Sequence, residues 1–127
     1  HLRDLLGAID KPDNLAICFD TCHAFAAGYE LRNAQGYSDT MSQFDDIVGL
    51  ENLHLFHLND SKKEKGSRKD RHQLIGEGEL GLSSFKQLLN DPRFKEHPGI
   101  LETPPLANGE MSYSSGLKTL RALLNSA

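Results

Sequence analysis

Asp20 with His23, His57, Asp70 with His72, and Glu102 are the residues of this 127-residue chain whose types could do chemistry together. Carboxylates and imidazoles are oxygen and nitrogen donors of borderline hardness, the set that zinc or manganese takes in a hydrolytic site without any cysteine. Taken singly, each has an ordinary reading. Asp20 could accept backbone hydrogen bonds at a helix start, His57 could be a satisfied strand-end histidine, Asp70-Arg71-His72 could be plain polar loop, and Glu102 could cap a turn. Those readings leave unexplained why the residues fall at the same end of successive structural units. Of the other candidates, Cys22 reads as a small buried filler rather than a ligand. His54 reads as packing against a helix, and His1 and His97 as surface residues.

The elements that must position these groups are written in the apolar pattern. Leu15-Ala16-Ile17-Cys18-Phe19 leads into Asp20, Leu53-His54-Leu55-Phe56 into His57, and Gly99-Ile100-Leu101 into Glu102. Runs so short and continuous suit strands of a parallel sheet buried on both faces. Alternation puts Ala16 and Cys18 on the face of Asp20, with Leu15, Ile17 and Phe19 on the other. Helical spacing follows each run: Met41, Phe44, Ile47 and Val48, then Leu82, Phe85, Leu88 and Leu89, then Leu117, Leu120, Leu123 and Leu124. Ser83 and Ser84 are expected to cap the second of these helices. Asp91-Pro92 stops it, and Thr103-Pro104-Pro105 forbids helix after the last strand. Residues 2–9 read as the tail of an earlier helix and 11–14 as the turn into the first strand.

Three parallel strand-helix units with their polar residues at the carboxyl ends are an α/β pattern. A complete (β/α)8 TIM barrel takes about 250 residues, so residues 1–127 are expected to form a partial barrel domain, its C-terminal portion. An open doubly wound sheet is the alternative, but no glycine-rich phosphate loop follows the first strand.

Composition excludes several classes. There is no run of about 18 apolar residues to span a membrane and no signal-peptide pattern. Two cysteines do not make a disulfide framework, so a reducing, cytoplasmic setting is expected. The net charge of −4 argues against a nucleic-acid partner until its distribution is considered. Lys62, Lys63, Lys65, Arg68, Lys69 and Arg71 crowd one loop, opposed there only by Glu64 and Asp70. Solvated lysine runs are common. This one lies between two metal-binding candidates, where it would meet phosphate oxygens.

Four strings in register carry a specific resemblance: Cys18-Phe19-Asp20-Thr21-Cys22-His23-Ala24-Phe25-Ala26-Ala27-Gly28-Tyr29, then His57-Leu58-Asn59-Asp60-Ser61-Lys62, then Gly66-Ser67-Arg68-Lys69-Asp70-Arg71-His72 with Ile75-Gly76-Glu77-Gly78, and finally Leu101-Glu102-Thr103-Pro104. Together they resemble the C-terminal part of endonuclease IV, the zinc-dependent apurinic/apyrimidinic endonucleases of DNA repair. The resemblance implies a cluster of up to three zinc ions. His23, Asp70 and His72 would hold one, and Asp20, His57 and Glu102 would contribute to a second. It further implies that the remaining ligands, a bridging glutamate and two histidines, precede His1. On that reading the full-length parent hydrolyses the phosphodiester 5′ to an abasic site in double-stranded DNA. Glu102 would be closest to the chemistry, and Arg71, Lys62 and Arg68 would be phosphate contacts. A xylose isomerase-like sugar isomerase or epimerase is the alternative on the same barrel, and a non-catalytic metal-binding or self-associating fragment is the alternative from another class. A partial barrel leaves sheet edges that invite pairing, so a homo-oligomer, or edges covered by the chain's own termini, is expected. Light scattering checks this, and a well-behaved monodisperse monomer at high concentration would count against it.

Overall fold

A computed structural model describes residues 16–124. The readings for 2–9, 11–14, His1 and Leu15 lie outside the described residues. Strand β1 (Ile17–Asp20) is followed by helices α1 (Thr21–Ala26) and α2 (Ala34–Ile47), then β2 (Leu53–His57). Next come two short strands, β3 (Asp60–Ser61) and β4 (His72–Gln73), and helix α3 (Gly81–Leu89). Strand β5 (Gly99–Ile100) and helix α4 (Tyr113–Leu123) complete the described chain. β1, β2 and β5 form a parallel sheet in that order. Three parallel strands, each leading into helix, are part of a β/α barrel, as the apolar pattern predicts. Among the described residues β1 and β5 are each paired on one side only.

The register of the sheet decides what stands beside what. Ile17 pairs with Leu53, and an irregularity between Ile17 and Cys18 shifts the alignment so that Phe19 faces Phe56 and Asp20 faces His57. Phe56 then pairs with Gly99 and His57 with Ile100. A Cβ on Gly99 would lie 2.5 Å from Leu58 Cδ1, so a larger residue there would make the Leu58 side chain shift. Ile17 and Phe19 are buried while Cys18 and Asp20 are half-exposed, the alternation expected of the strand.

Behind the sheet a chain of edge-to-face rings joins it to the helices. Phe19 meets Phe44 at 5.7 Å and Phe56 at 5.8 Å, and Phe56 meets Phe94 at 5.0 Å, spacings at which aromatic pairs add to area burial. His97 continues the chain 5.4 Å from Phe94, and its Nε2 lies 2.7 Å from the Leu53 carbonyl oxygen. It is thus a half-buried tie between the 3-10 turn Pro92–Phe94 and β2, not a surface residue. His54 departs from expectation in the other direction: it is exposed. Tyr37 of α2 donates to Asp91 Oδ2 at 2.8 Å, and Arg93 holds the same carboxylate through Nε and Nη2. Burial pushes the Tyr37 hydroxyl well above its usual range, so it remains a donor.

α2 starts about two turns earlier than its apolar spacing suggests, because Asn33 accepts from Gly36 N at 2.7 Å as its N-cap. In α4, Leu120 is buried and Leu123 packs on the core, but Leu117 and Leu124, expected on the same face, are exposed. Ser83 and Ser84 do not cap α3. Both lie inside it, with Ser83 Oγ donating to Arg32 O and Ser84 Oγ to Leu80 O. The cap comes from Asp60, twenty residues upstream of Leu80. Its fully buried carboxylate accepts from the backbone N–H of Leu80 and Gly81 at the helix start, of Gly76 and Gly78 in the approach, and of Ser61. A negative charge at the helix N-terminus satisfies orphan donors and complements the macrodipole. A Cβ on Gly78 would sit 2.5 Å from Asp60 Oδ1, which is why that approach needs glycine.

No helix among the described residues is long and apolar enough to cross a membrane. Asp60→Ala is expected to lower the unfolding free energy in urea by about 3 kcal/mol or more, since several buried donors lose their acceptor. Ser84→Ala is expected to cost less than about 1 kcal/mol. Equal effects of the two would contradict the placement of the cap.

Candidate metal centre

The carboxyl end of each strand supplies one ligand candidate. Asp20 ends β1 and is also the N-cap of α1: its Oδ1 accepts from His23 N at 3.0 Å. The ordinary helix-start reading of Asp20 therefore holds for one oxygen and leaves the other free to act. Oδ2 turns inward, 3.6 Å from His57 Nδ1 and 3.8 Å from His72 Nε2. Glu102, two residues past β5, brings Oε1 to 2.5 Å from His57 Nδ1. Asp20, His57 and Glu102 thus offer donor atoms within 4.8 Å of one another.

Asp70 and His72 arrive on the β3–β4 hairpin, a pairing that looked like plain loop in sequence. Asp70 Oδ1 lies 3.4 Å from His72 Nε2. The other nitrogen of His72, Nδ1, faces the Glu102 carbonyl oxygen at 2.9 Å. A carbonyl only accepts, so Nδ1 carries the hydrogen and Nε2 is the nitrogen that faces Asp20 and Asp70, the arrangement that orients a metal-binding histidine from behind. Because His72 faces both aspartates, the two ligand groups are contiguous.

The structure sets His23 apart from the other five. Its side chain is 72% exposed and reaches Asp70 only at 3.8 Å. In its place Cys22 stands with Asp70 and His72 in a group of donors within 4.8 Å. Cys22 is fully buried, its Sγ–H donates to Arg71 O at 3.5 Å, and burial pushes the thiol up to about 12. Those features agree with the packing role expected from sequence, beside the metal-binding candidates.

The basic loop is seated on α1. Gly66 N donates to Phe25 O and Arg68 N to Ala26 O, two carbonyls at the helix C-terminus. Arg68 takes a left-handed backbone conformation (φ 59°) to do so and lines a cavity of about 350 Å³ with His23, Ala26, Ala27 and Asp70. Arg71 is exposed, and its guanidinium donates to Asp70 O, with no carboxylate partner among the described residues. Lys62 is exposed on the facing arm of the hairpin directly opposite Arg71, its N–H donating to Arg71 O.

Three carboxylates converging on imidazole nitrogens, with no lysine or arginine among them, repel one another unless a cation lies between. That donor set fits a divalent metal. Two further residues organise it and escaped sequence reasoning. Buried Asp60 holds the hairpin and the glycine turn together, and buried Asn59 touches both Asp20 and Glu102. The only signal in the sequence was the polar triplet Asn59-Asp60-Ser61 directly after His57-Leu58, paired with the close-approach glycines Gly76 and Gly78.

Strands that deliver metal-ligand candidates at the carboxyl end of a partial β/α barrel define a class, and comparison with known proteins bears it out. The chain belongs to the xylose isomerase-like TIM barrel family, whose model matches residues 1–123. The probable endonuclease 4 of Trichlorobacter lovleyi is 54% identical over 104 residues, covering 82% of this chain and 37% of that protein. Apurinic-apyrimidinic endonuclease 1 of Plasmodium falciparum is 43% identical over 123 residues, covering 97% of this chain and 21% of that protein. The crystal structure of endonuclease IV from Thermus thermophilus matches with a TM-score of 0.79 at 36% identity, covering 100% of this chain and 45% of that one. The resemblance to endonuclease IV carried by the four motifs is borne out. The chain spans less than half the length of these relatives.

Glu30 ties the basic loop to the α1–α2 connection. Its carboxylate accepts from Arg32 Nε and Nη2, both at 2.8 Å, and lies 3.5 Å from Lys65 Nζ. The Arg32 hydrogen bonds, aided by the charges of Arg32 and Lys65 and opposed by burial, hold the carboxyl at about 2. A folded pKa below the unfolded value of about 4.3 contributes stability above that value and loses it as pH falls toward 2. The urea midpoint is therefore expected to fall more steeply with acidification between pH 5 and 2 in the wild type than in Glu30→Gln. Parallel profiles would contradict the tie.

Proposed function

We propose that this chain carries the greater part of the metal centre of a zinc-dependent apurinic/apyrimidinic endonuclease of DNA repair, and that residues 1–127 form one partial-barrel domain of it. The observation that carries the reading is the convergence of Asp20, His57, Asp70, His72 and Glu102 at one end of the sheet, beside an exposed basic loop. His23, Asp70 and His72 would hold one zinc, with His23 turning inward to do so. Asp20, His57 and Glu102 would contribute to a second, and manganese is the other metal that this donor set accepts. Bound there, the metal would lower the pKa of a water, neutralise phosphate oxygens and stabilise the leaving alkoxide.

The chain's own side chains do the rest. Glu102 presents a half-exposed carboxylate at the mouth of the site, where it can orient the attacking water. Arg71, Lys62 and Arg68 supply the positive charge that holds a DNA phosphate against the metal face. The substrate proposed is double-stranded DNA with an abasic site, cut on its 5′ side. The two free cysteines, Cys18 and Cys22, suit a reducing cytoplasmic setting. The one-sided edges of β1 and β5 are where a second copy would pair. A sugar isomerase on the same barrel is disfavoured because a single-metal site has no use for the additional Asp70 and His72 pair or the basic loop.

The test is incubation of the chain with zinc and a duplex containing one abasic site, with metal content measured in parallel. The expected outcome is negligible cleavage by this chain alone, about one tightly bound zinc per chain at most, and loss of that zinc in His72→Ala. Efficient cleavage by the chain alone, or unchanged zinc in His72→Ala, would overturn the assignment of ligands.

A further inference from the structure

We infer that Asn59 is a positioning residue for the metal centre, its single side-chain amide setting the spacing between the ligands of three separate segments. The inference rests on the metal reading above and assigns a role to a residue that is not itself a ligand. Asn59 is fully buried directly beyond β2. Its Oδ1 accepts from Glu102 N at 2.8 Å, and its Nδ2 donates to Asp20 Oδ2 at 3.3 Å. The orientation of the amide is dictated by its partners. A backbone N–H can only donate and a carboxylate accepts, so oxygen must face Glu102 and nitrogen must face Asp20.

Consequences pass to a third ligand through the Glu102 backbone. The Glu102 carbonyl holds His72 Nδ1, so the peptide unit that Asn59 anchors by its N–H belongs to the same residue that orients the His72 ring. Asp20 Oδ2, the atom that Asn59 touches, is also the atom that faces both His57 and His72. One buried amide therefore fixes Asp20, Glu102 and, indirectly, His72 relative to β2. The Asn59 backbone has a different task. Thr21 Oγ1 donates to Asn59 O at 2.7 Å and accepts from Asn59 N at 3.0 Å, which ties the start of α1 to β2 without touching a ligand side chain. Because Thr21 Oγ1 also reaches the carbonyl oxygen of the ligand His57 at 3.3 Å, the control lies elsewhere: Tyr37 is buried and its hydroxyl holds Asp91 behind the sheet, away from the ligands.

The experiment titrates the chain with cobalt(II) as a spectroscopic probe, and with zinc by chelator competition, in wild type, Asn59→Ala, Asn59→Ser and Tyr37→Phe, with urea stability of the metal-free proteins measured alongside. Asn59→Ala is expected to weaken metal binding by about 10- to 100-fold, the usual effect of removing a partner behind a ligand, and to shift the cobalt absorption bands. Asn59→Ser, which retains one hydrogen-bonding group, is expected to fall between and decides the matter if Asn59→Ala does not fold. Tyr37→Phe is expected to lower stability while leaving the bands and the affinity at wild-type values. Wild-type bands and affinity in the Asn59 variants, or equal losses in Tyr37→Phe, would overturn the positioning role alone. Absence of any cobalt spectrum from the wild type would overturn the metal reading, and the inference with it.

Discussion

The site depends on a single constraint: the parallel register that sets Asp20 opposite His57. Parallel strands end together only if their alignment is held over several residues, and here the irregularity between Ile17 and Cys18 makes the necessary shift before the ligands are reached. Had β1 continued in its initial register, Asp20 would face a different residue of β2 and its carboxylate would lie one step from the imidazole. A shift of one residue would also exchange the faces of the strand. Phe19 would then leave its contacts with Phe44 and Phe56, so the packing behind the sheet and the chemistry at its end are specified by the same alignment.

A second layer of buried polar groups turns that alignment into a rigid constellation. Asn59 and Asp60 are adjacent in sequence and look opposite ways. The first reaches the ligand-bearing ends of β1 and β5, and the second reaches back to the hairpin, the Gly76–Gly78 turn and the start of α3. Both are fully buried, where an unpaired polar group would cost about 1–3 kcal/mol, and the side-chain polar atoms of both have partners. The cost of burying a carboxylate at Asp60 is offset by the number of backbone donors that converge on it.

Much of this was legible in the amino-acid pattern. The three apolar runs were found within a residue or two, their parallel order followed from the helical stretches between them, and the ligand candidates followed from the residue types at their ends. What was not legible has one physical source: hydrogen bonds made over long sequence separations. Ser83 and Ser84 satisfy the local rule for a helix cap, but a buried carboxylate twenty residues upstream of Leu80 had already taken the donors. His97 has the composition of a surface neighbourhood and is drawn inward by the Leu53 carbonyl. Asp70 and His72 came from what looked like loop, because strands of two residues leave no periodicity to read. The relation of His23 to Cys22 is of the same kind. Neighbours on α1 point about 100° apart, and which of the two lies closer to Asp70 and His72 is settled only when the hairpin is in place.

That last point provides the most direct test of the account, whose central claim is that carboxylates and imidazoles alone make the metal centre. X-ray absorption at the zinc edge, on the chain loaded with one equivalent of zinc, reads the first shell without reference to activity. The account predicts nitrogen and oxygen neighbours at about 2.0–2.2 Å with the outer-shell signature of imidazole, and no sulfur. A sulfur neighbour at about 2.3 Å would place Cys22 in the ligand set and contradict it.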